Sequence, residues 1–149
     1  MSEGPSPREV VTELLEERQK EGSRVELAEF YAEDAVMEHV FGMLGPTRWE
    51  GRDQLREHFR SQGSGDFRVK AHNLVIHETL DPEVIVIEWE FDMIEISGGR
   101  SVRLSNIVVM RVRDGLIVSS RDYHNHLGLA AATGGLPALF AALAEKNGD

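Results

Sequence analysis

Four long segments rich in valine and isoleucine fill the second half of the chain, and they constrain the fold most. They span residues 69–78, 84–96, 102–113 and 116–124, and short turns separate them. Runs of β-branched residues bounded by turn dipeptides are typical of strands, and Asp114-Gly115 is a strong hairpin signal. The pattern predicts a meander of long antiparallel strands, against which the rest of the chain must pack.

The first half of the chain has a helical pattern instead. Ser6-Pro7 predicts a helix start, because proline is tolerated in the first turn, and an apolar stripe at helical spacing follows it. Residues 24–31 predict a second short helix and residues 52–62 a third, with a short strand over residues 35–41 between them. The apolar residues expected to be buried by the first and third helices are Val10, Val11, Leu14, Leu15, Leu55 and Phe59.

Helices that precede a strand meander predict an α+β domain, with the helices packed on one face of a curved antiparallel sheet. Such a sheet forms a cone with a pocket at its mouth. At 149 residues the chain has the length of a single domain. Residues 1–6 are expected to be a flexible terminus, and residues 127–146 a docked C-terminal tail.

Composition and charge exclude several classes of function. A formal net charge of −10 argues against nucleic acid or an anionic membrane as a partner, since phosphates would be repelled. The absence of cysteine excludes disulfides and a thiolate nucleophile. The N-terminal residues do not form a signal peptide, so a cytoplasmic location is expected. No phosphate-binding loop, dinucleotide fingerprint or nucleophile elbow is present, which predicts a protein without a cofactor.

The last predicted strand ends in a cluster of titratable side chains, in which Asp122 stands between Arg121 and Tyr123 and is followed by His124. An acid is costly to bury without a purpose. Among apolar strands its pKa is expected to rise, which suits general acid or base catalysis near neutral pH. The alternative is a surface ion pair with Arg121 or Arg103. Asp122 is the favoured catalytic residue, and His124 is expected to orient it.

Strand alternation leaves the direction of Asp122 open. Counting from the Asp114-Gly115 turn, Ile117 and Asp122 belong to opposite faces of the strand. If Ile117 faces the core, Asp122 also faces it only where a β-bulge intervenes or where both faces are covered.

His39 and Asp92 are the other catalytic candidates. His39 shares a strand face with Met37 and Phe41, so it is either a core histidine or a base in the pocket. Asp92 alternates with Glu88 and Glu90, a pattern that more often marks a solvated face than a pocket.

A metal site is a further alternative for the histidines. Asp122, His124 and His126 alternate and, together with His39, offer ligands of the type that bind a metal. Nothing in the sequence fixes their geometry, so the prediction is no metal. Tyr31, Trp49, Trp89 and Tyr123 are suited to be walls for an apolar ligand. The residues predicted to contact a substrate are Tyr31, Phe41, Trp49, Trp89, Asn106 and Tyr123.

Several blocks of the chain resemble the SnoaL-like branch of the nuclear transport factor 2-like superfamily, which includes polyketide cyclases. They are residues 30–36 (Phe-Tyr-Ala-Glu-Asp-Ala-Val), residues 49–55 (Trp-Glu-Gly-Arg-Asp-Gln-Leu) and the terminal Arg121-Asp122-Tyr123. The resemblance extends from about Pro7 to Phe140. It implies the cone fold, a small hydrophobic ligand and a homodimer formed through the outer face of the sheet.

The resemblance also separates the possible reactions. His39 falls where ketosteroid isomerases carry their proton-shuttling aspartate, and Val108 where they carry an oxyanion-stabilising acid, so steroid isomerisation is disfavoured. Asp122 matches the last-strand acid of epoxide hydrolases and SnoaL-like cyclases. Glu90-Phe91-Asp92 stands where the hydrolases carry Arg-x-Asp, so their charge pattern is incomplete.

The function predicted from the sequence is therefore acid–base catalysis, as cyclisation or isomerisation, on a small polyketide-like metabolite. Asp122 is expected to transfer the proton, with His39 as the second proton-transfer group. The alternatives are water addition to an epoxide, using Asp92 and Asp122, and a non-catalytic module that binds or assembles with the same cone.

Overall fold

A computed structural model of the chain describes residues 4–20, 25–62 and 67–148. The elements expected from the sequence are present, and residues 1–3 of the expected flexible terminus lie outside the described residues. The helices are α1 (Pro7–Arg18), a 3-10 helix (Val25–Phe30), α2 (Arg52–Gln62), α3 (His126–Ala132) and α4 (Leu136–Asn147). The strands are β1 (Tyr31–His39), β2 (Thr47–Glu50), β3 (Phe67–Glu78), β4 (Val84–Glu95), β5 (Ser101–Arg113) and β6 (Leu116–His124).

The six strands form one curved, unclosed sheet in the order β2-β1-β6-β5-β4-β3. The predicted α+β class and the meander from β3 to β6 are confirmed. The sheet is not antiparallel throughout, because β1 runs parallel to β6. Parallel neighbours need a long connection, and residues 40–115 separate these two strands. The strand β2 was not predicted; it pairs with β1 and places Trp49 opposite Met37.

Helix α1 begins where the sequence predicts. The Ser6 side chain accepts a hydrogen bond from the backbone N–H of Glu9, and the Glu9 carboxylate accepts one from the backbone N–H of Ser6. This reciprocal capping satisfies two N–H groups that a helix start leaves free. The four apolar residues of the predicted stripe are buried, as predicted, and they pack α1 onto the inner face of the sheet.

Helix α2 packs on the same side of the sheet, close to β1. Gly51 precedes it with a φ of +88°, a conformation that favours glycine, and its N–H donates to the carbonyl of Ala35. Leu55 and Phe59 are buried as predicted, and the Phe59 ring lies 5.6 Å from that of Tyr31. These contacts determine which face of α2 packs against β1.

A β-bulge in β6 decides the direction of Asp122. Arg111 of β5 lies opposite Ser119, whereas the next residue, Val112, lies opposite Ile117, so Val118 is the extra residue. One extra residue reverses the alternation beyond it. Ile117 is fully buried and Asp122 is 7% exposed, and both face the core. Of the two possibilities that the sequence left open, the structure has the bulge.

The C-terminal tail forms two short helices with a turn at Gly134, whose φ is +74°. Neither helix contains a fully buried residue. Asn125 caps α3 by accepting a hydrogen bond from the N–H of Gly128. None of the helices in the described ranges is long and apolar enough to cross a membrane.

Candidate active site

Asp122 is held by two hydrogen bonds inside the domain. The Ser120 hydroxyl donates to its Oδ1 atom over 2.5 Å, and Nε2 of His124 lies 3.2 Å from its Oδ2 atom. Ser120 and His124 are the residues two before and two after Asp122 on β6, so all three side chains point to the same face. The carboxylate is thus oriented by its own strand.

His124 is engaged through both ring nitrogens. The side-chain amide of Asn106, which lies opposite His124 on β5, donates to Nδ1 over 2.7 Å. Because the amide N–H of Asn106 donates, Nδ1 is the acceptor, and in this tautomer the ring directs its Nε2–H to Asp122. This arrangement fixes the ring and leaves it no free nitrogen for a ligand. Asn106 is itself buried, with 5% exposure.

His39 lies on the other side of the same carboxylate. It is the register partner of Asp122 in the parallel β1–β6 pair, and its Nε2 atom lies 3.7 Å from Oδ2 of Asp122. That distance is too long for a hydrogen bond but short enough for a strong electrostatic interaction. Among the described residues, no side chain or backbone group forms a hydrogen bond with either nitrogen of the His39 ring.

The pKa of His39 falls to about 4, mainly because burial disfavours the charged ring. The Asp122 carboxylate acts in the opposite direction, and the neighbouring histidines lower the pKa further. His39 is therefore a neutral imidazole at pH 7. A proton accepted by this ring would be stabilised by the adjacent carboxylate.

The pKa of Asp122 shifts in the direction opposite to the sequence-based expectation. Burial alone would raise it, but the hydrogen bonds from His124 and Ser120 and the proximity of His39 outweigh burial and lower it. The expectation of a raised pKa was wrong, because it counted the apolar strands and not the donors that the fold brings to the carboxylate. Asp122 is an anion at neutral pH.

His39 is one of four imidazoles that lie close together. The ring centroids of His58, His124 and His126 lie 5.5, 4.9 and 5.4 Å from that of His39. Burial lowers the pKa of His58 to about 4 and also lowers that of His126. His58, on α2, was missed in the sequence. The signal was present, because residues 55, 58, 59 and 62 share one face of a helix.

A cavity of about 530 Å³ opens in front of the histidines. His39, His58, His124 and His126 line it, whereas Asp122 lies behind them, against a separate void of about 30 Å³. The imidazoles are thus the groups that a ligand in the cavity would touch. Apolar side chains that form the remaining wall are Phe67, Val69, Phe91, Met93 and Leu129.

None of the six residues predicted to contact a substrate lines this cavity. Trp49 packs behind it, with its ring 4.7 Å from His39 and 4.0 Å from His58. Phe41 lies beyond the end of β1, largely exposed, against the ring of Tyr123. The other three are buried and line the small void around Asp122, namely Tyr31, Trp89 and Asn106.

Asp92 is separated from the other candidates. It lies on the outer face of β4, where Nε of Arg103 is 2.9 Å and Nε2 of His72 is 2.6 Å from its carboxylate. The hydrogen bond from Arg103 is the main reason that its pKa falls to about 2. The alternation of Asp92 with Glu88 and Glu90 indicated a solvated face, and Asp92 does lie on the outer face of the sheet. It has no access to the cavity.

One group of side chains has the composition of a metal site. His39, Asp122 and His124 each offer a ligand atom, and these atoms lie within 4.8 Å of one another. In the described arrangement, however, Nε2 of His124 carries the proton that it directs to Asp122. A metal ion would have to displace this proton and break the hydrogen bond. The donor set is arranged for hydrogen bonding.

Comparison with known proteins gives the family. Residues 11–120 match the model of the SnoaL-like domain. The chain belongs to the SnoaL-like family. It is also 31% identical over 106 residues to an uncharacterised PhzA/B-like protein of Pseudomonas aeruginosa, a match that covers 70% of this chain and 74% of the relative. Asp122, His124 and His126 lie just beyond the residues that match the SnoaL-like model.

Solved structures share the fold of this SnoaL-like protein. A phenazine biosynthesis-related protein of Pseudomonas aeruginosa superposes with a TM-score of 0.69 at 21% identity, over 86% of this chain and 80% of that one. SalBIII, an epoxide hydrolase/cyclase-like enzyme of pyran ring formation in salinomycin, superposes with a TM-score of 0.63 at 21% identity, over 81% and 92%. At these identities the likeness concerns the fold alone.

Proposed function

We propose that this SnoaL-like protein catalyses cyclisation or isomerisation of a small hydrophobic carbonyl compound by acid–base chemistry without a cofactor. The single observation that carries the proposal is the arrangement of His39. Its neutral ring lines the cavity, has no hydrogen-bond partner among the described residues, and lies 3.7 Å from the buried carboxylate of Asp122. A base in a cavity, backed by an anion, is the arrangement that proton abstraction requires.

The proposed reaction begins with removal of a proton from a carbon next to a carbonyl group. His39 accepts this proton and becomes an imidazolium, which the carboxylate of Asp122 stabilises. The resulting enolate then takes one of two courses. In an isomerisation, His39 returns the proton to another carbon. In a cyclisation, the enolate carbon forms a bond to a second carbonyl carbon, and the new alkoxide takes the proton from His39. The base is regenerated in both cases, so no co-reactant is consumed.

This assignment exchanges the roles that the sequence suggested. The sequence predicted that Asp122 transfers the proton and that His39 is the second proton-transfer group. The position of Asp122 behind the imidazoles favours a charge-stabilising role for it. His124, with both nitrogens engaged, serves as a positioning residue that holds the carboxylate toward His39.

Family membership supports a reaction of this type. The SnoaL-like fold is shared with an enzyme described as epoxide hydrolase/cyclase-like and with a phenazine biosynthesis-related protein. Water addition to an epoxide has less support in this chain, because the second acid that it would use, Asp92, is paired with Arg103 on the outer face.

Deuterium exchange into a simple ketone tests the proposal directly. We expect the protein to accelerate α-deuteration of 2-tetralone in D₂O, followed by proton NMR, and His39→Gln to reduce the acceleration at least ~10²-fold. Asp92→Asn is the control variant and should exchange at the wild-type rate. Exchange that is no faster than in buffer would favour the non-catalytic binding module. Turnover of an epoxide with incorporation of ¹⁸O from labelled water would favour the hydrolase.

A further inference from the structure

Arg18 brings a positive charge to the cavity, and no acid of the described residues pairs with it. It is the last residue of α1, and its side chain lines both the 530 Å³ cavity and the 30 Å³ void behind it. Its Nε–H group is fully buried and has no hydrogen-bond partner. Among the described residues, no carboxylate lies within ion-pairing distance of its guanidinium. A buried donor without a partner carries a cost.

The remaining side chains of the cavity do not supply the missing charge. Among the described residues, the lining contains Arg18, four imidazoles and no acid. Asp122 is close behind the imidazoles, but its two oxygens are directed to Ser120 and His124. The permanent charge of the described part of the lining is therefore one positive unit, although the whole chain carries a net charge of −10. Such a local inversion of sign is characteristic of a site that receives an anion.

The guanidinium also influences the groups around it. It lines the cavity together with His58 and the void together with Tyr31, and it lowers the pKa of His58 and opposes the rise in the pKa of Tyr31. Arg18 and His39 thus contribute to the same cavity from different elements. A ligand could place one group on the guanidinium and its reacting carbon near His39.

We propose that the ligand of this cavity is a small organic acid, whose carboxylate is bound by Arg18 and whose apolar body packs against Phe91 and Met93. The planar guanidinium matches a carboxylate with two parallel hydrogen bonds from its N–H groups. The inference deepens the proposed function by naming the substrate class, and it rests on that proposal only in taking the cavity as the substrate site.

A pair of probes that differ only in charge tests the inference. 2-Naphthoate and 2-naphthamide have almost the same shape, and titration calorimetry at pH 8 and low salt gives the dissociation constant of each. We expect wild-type protein to bind the naphthoate at least about tenfold more tightly than the naphthamide. In Arg18→Met this preference should disappear, whereas Arg18→Lys should retain part of it. Arg60→Met, which removes an exposed charge from α2, is the matched control and should keep the full preference.

Each outcome decides the inference. Equal binding of the two probes by wild-type protein, binding of neither at millimolar concentration, or an undiminished preference in a folded Arg18→Met variant would each overturn it. Asp122→Asn distinguishes the inference from the proposed function. This variant should lose most of the deuterium-exchange activity and still prefer naphthoate to naphthamide. A preference that depends on Arg18, in a protein that does not accelerate deuterium exchange, would leave the anion site standing and remove the proposed catalysis.

Discussion

His39 and Asp122 are register partners in the only parallel strand pair of the described sheet, and Nε2 of His39 lies 3.7 Å from Oδ2 of Asp122. Partners in adjacent strands direct their side chains to the same face, so the contact is fixed by the backbone and not by long flexible side chains. The pair therefore has the rigidity that proton transfer requires.

Replacing the carboxylate should abolish most of the activity. In Asp122→Asn the amide can still fill the space, but it no longer stabilises a protonated His39, so we expect kcat to fall at least ~10²-fold. NMR-monitored deuterium exchange into 2-tetralone provides the measurement. Asp92→Asn makes the same chemical change on the outer face of β4 and should alter the rate by less than about twofold. Equal losses in the two variants would show that Asp122 has no specific role.

The dependence of the rate on pH should report the protonation of His39. The ring accepts a proton only while it is neutral, and its pKa is about 4 in the free protein. We expect kcat/KM to be constant from pH 8 to about pH 6 and to fall as the pH decreases through the pKa of His39. A profile that instead rises as the pH decreases would identify a protonated group as the essential form.

Stability should decrease in mild acid for the same physical reason. The pKa values of His39 and His58 are about 4 in the folded protein, below the ordinary value of 6.5 expected in the unfolded chain. Between pH 6.5 and 4 the unfolded state binds more protons, so the free energy of unfolding decreases as the pH falls through this range. Above pH 6.5 both states are neutral, and these two residues add no pH dependence.

Urea unfolding at a series of pH values measures this effect. His39→Gln and His58→Gln should each make the decrease between pH 6.5 and 4 shallower. His77→Gln makes the same chemical change at an exposed histidine on the outer face and is the control for the substitution itself. The same slope in all four proteins would mean that the two buried rings titrate as they do in the unfolded chain.

Trp49 provides a direct optical probe of the same titration. Its ring packs against that of His58 at 4.0 Å and that of His39 at 4.7 Å. Protonation of either imidazole places a cation beside the indole, which should quench its fluorescence as the pH falls toward about 4. Trp49→Phe should remove this transition, whereas Trp89→Phe should retain it. A transition that persists without Trp49 would have to arise from the other tryptophan.

The sequence predicted the elements of the fold well, because their signals are local. The Ser6 cap, the apolar stripe of α1 and the valine- and isoleucine-rich runs depend on residues within a few positions of one another. The parallel pairing of β1 with β6 is not local. It depends on how the whole sheet assembles, and no short pattern encodes it.

The candidate site was predicted in part, for a related reason. Asp122, His39 and His124 were selected by residue type, and the fold brings them together. Trp89 and Tyr31 were expected to contact a ligand, yet both are core residues, since a large aromatic side chain has the same signature in either place. Arg18 gave no signal, because a basic residue in the last turn of a helix is common.

The bulge at Val118 has a consequence for how this fold could change its role. Substituting Asp122 removes one functional group, and removing Val118 would leave a regular strand in which Ile117 and Asp122 still face the core, because an even number of positions would then separate them. One residue inserted between Ser120 and Arg121 would instead turn the end of β6 over, so that the carboxylate and the imidazole of His124 face outward. A single-codon insertion at that place, more than any substitution, would convert a chain of this kind from a potential catalyst into a scaffold with the same sheet.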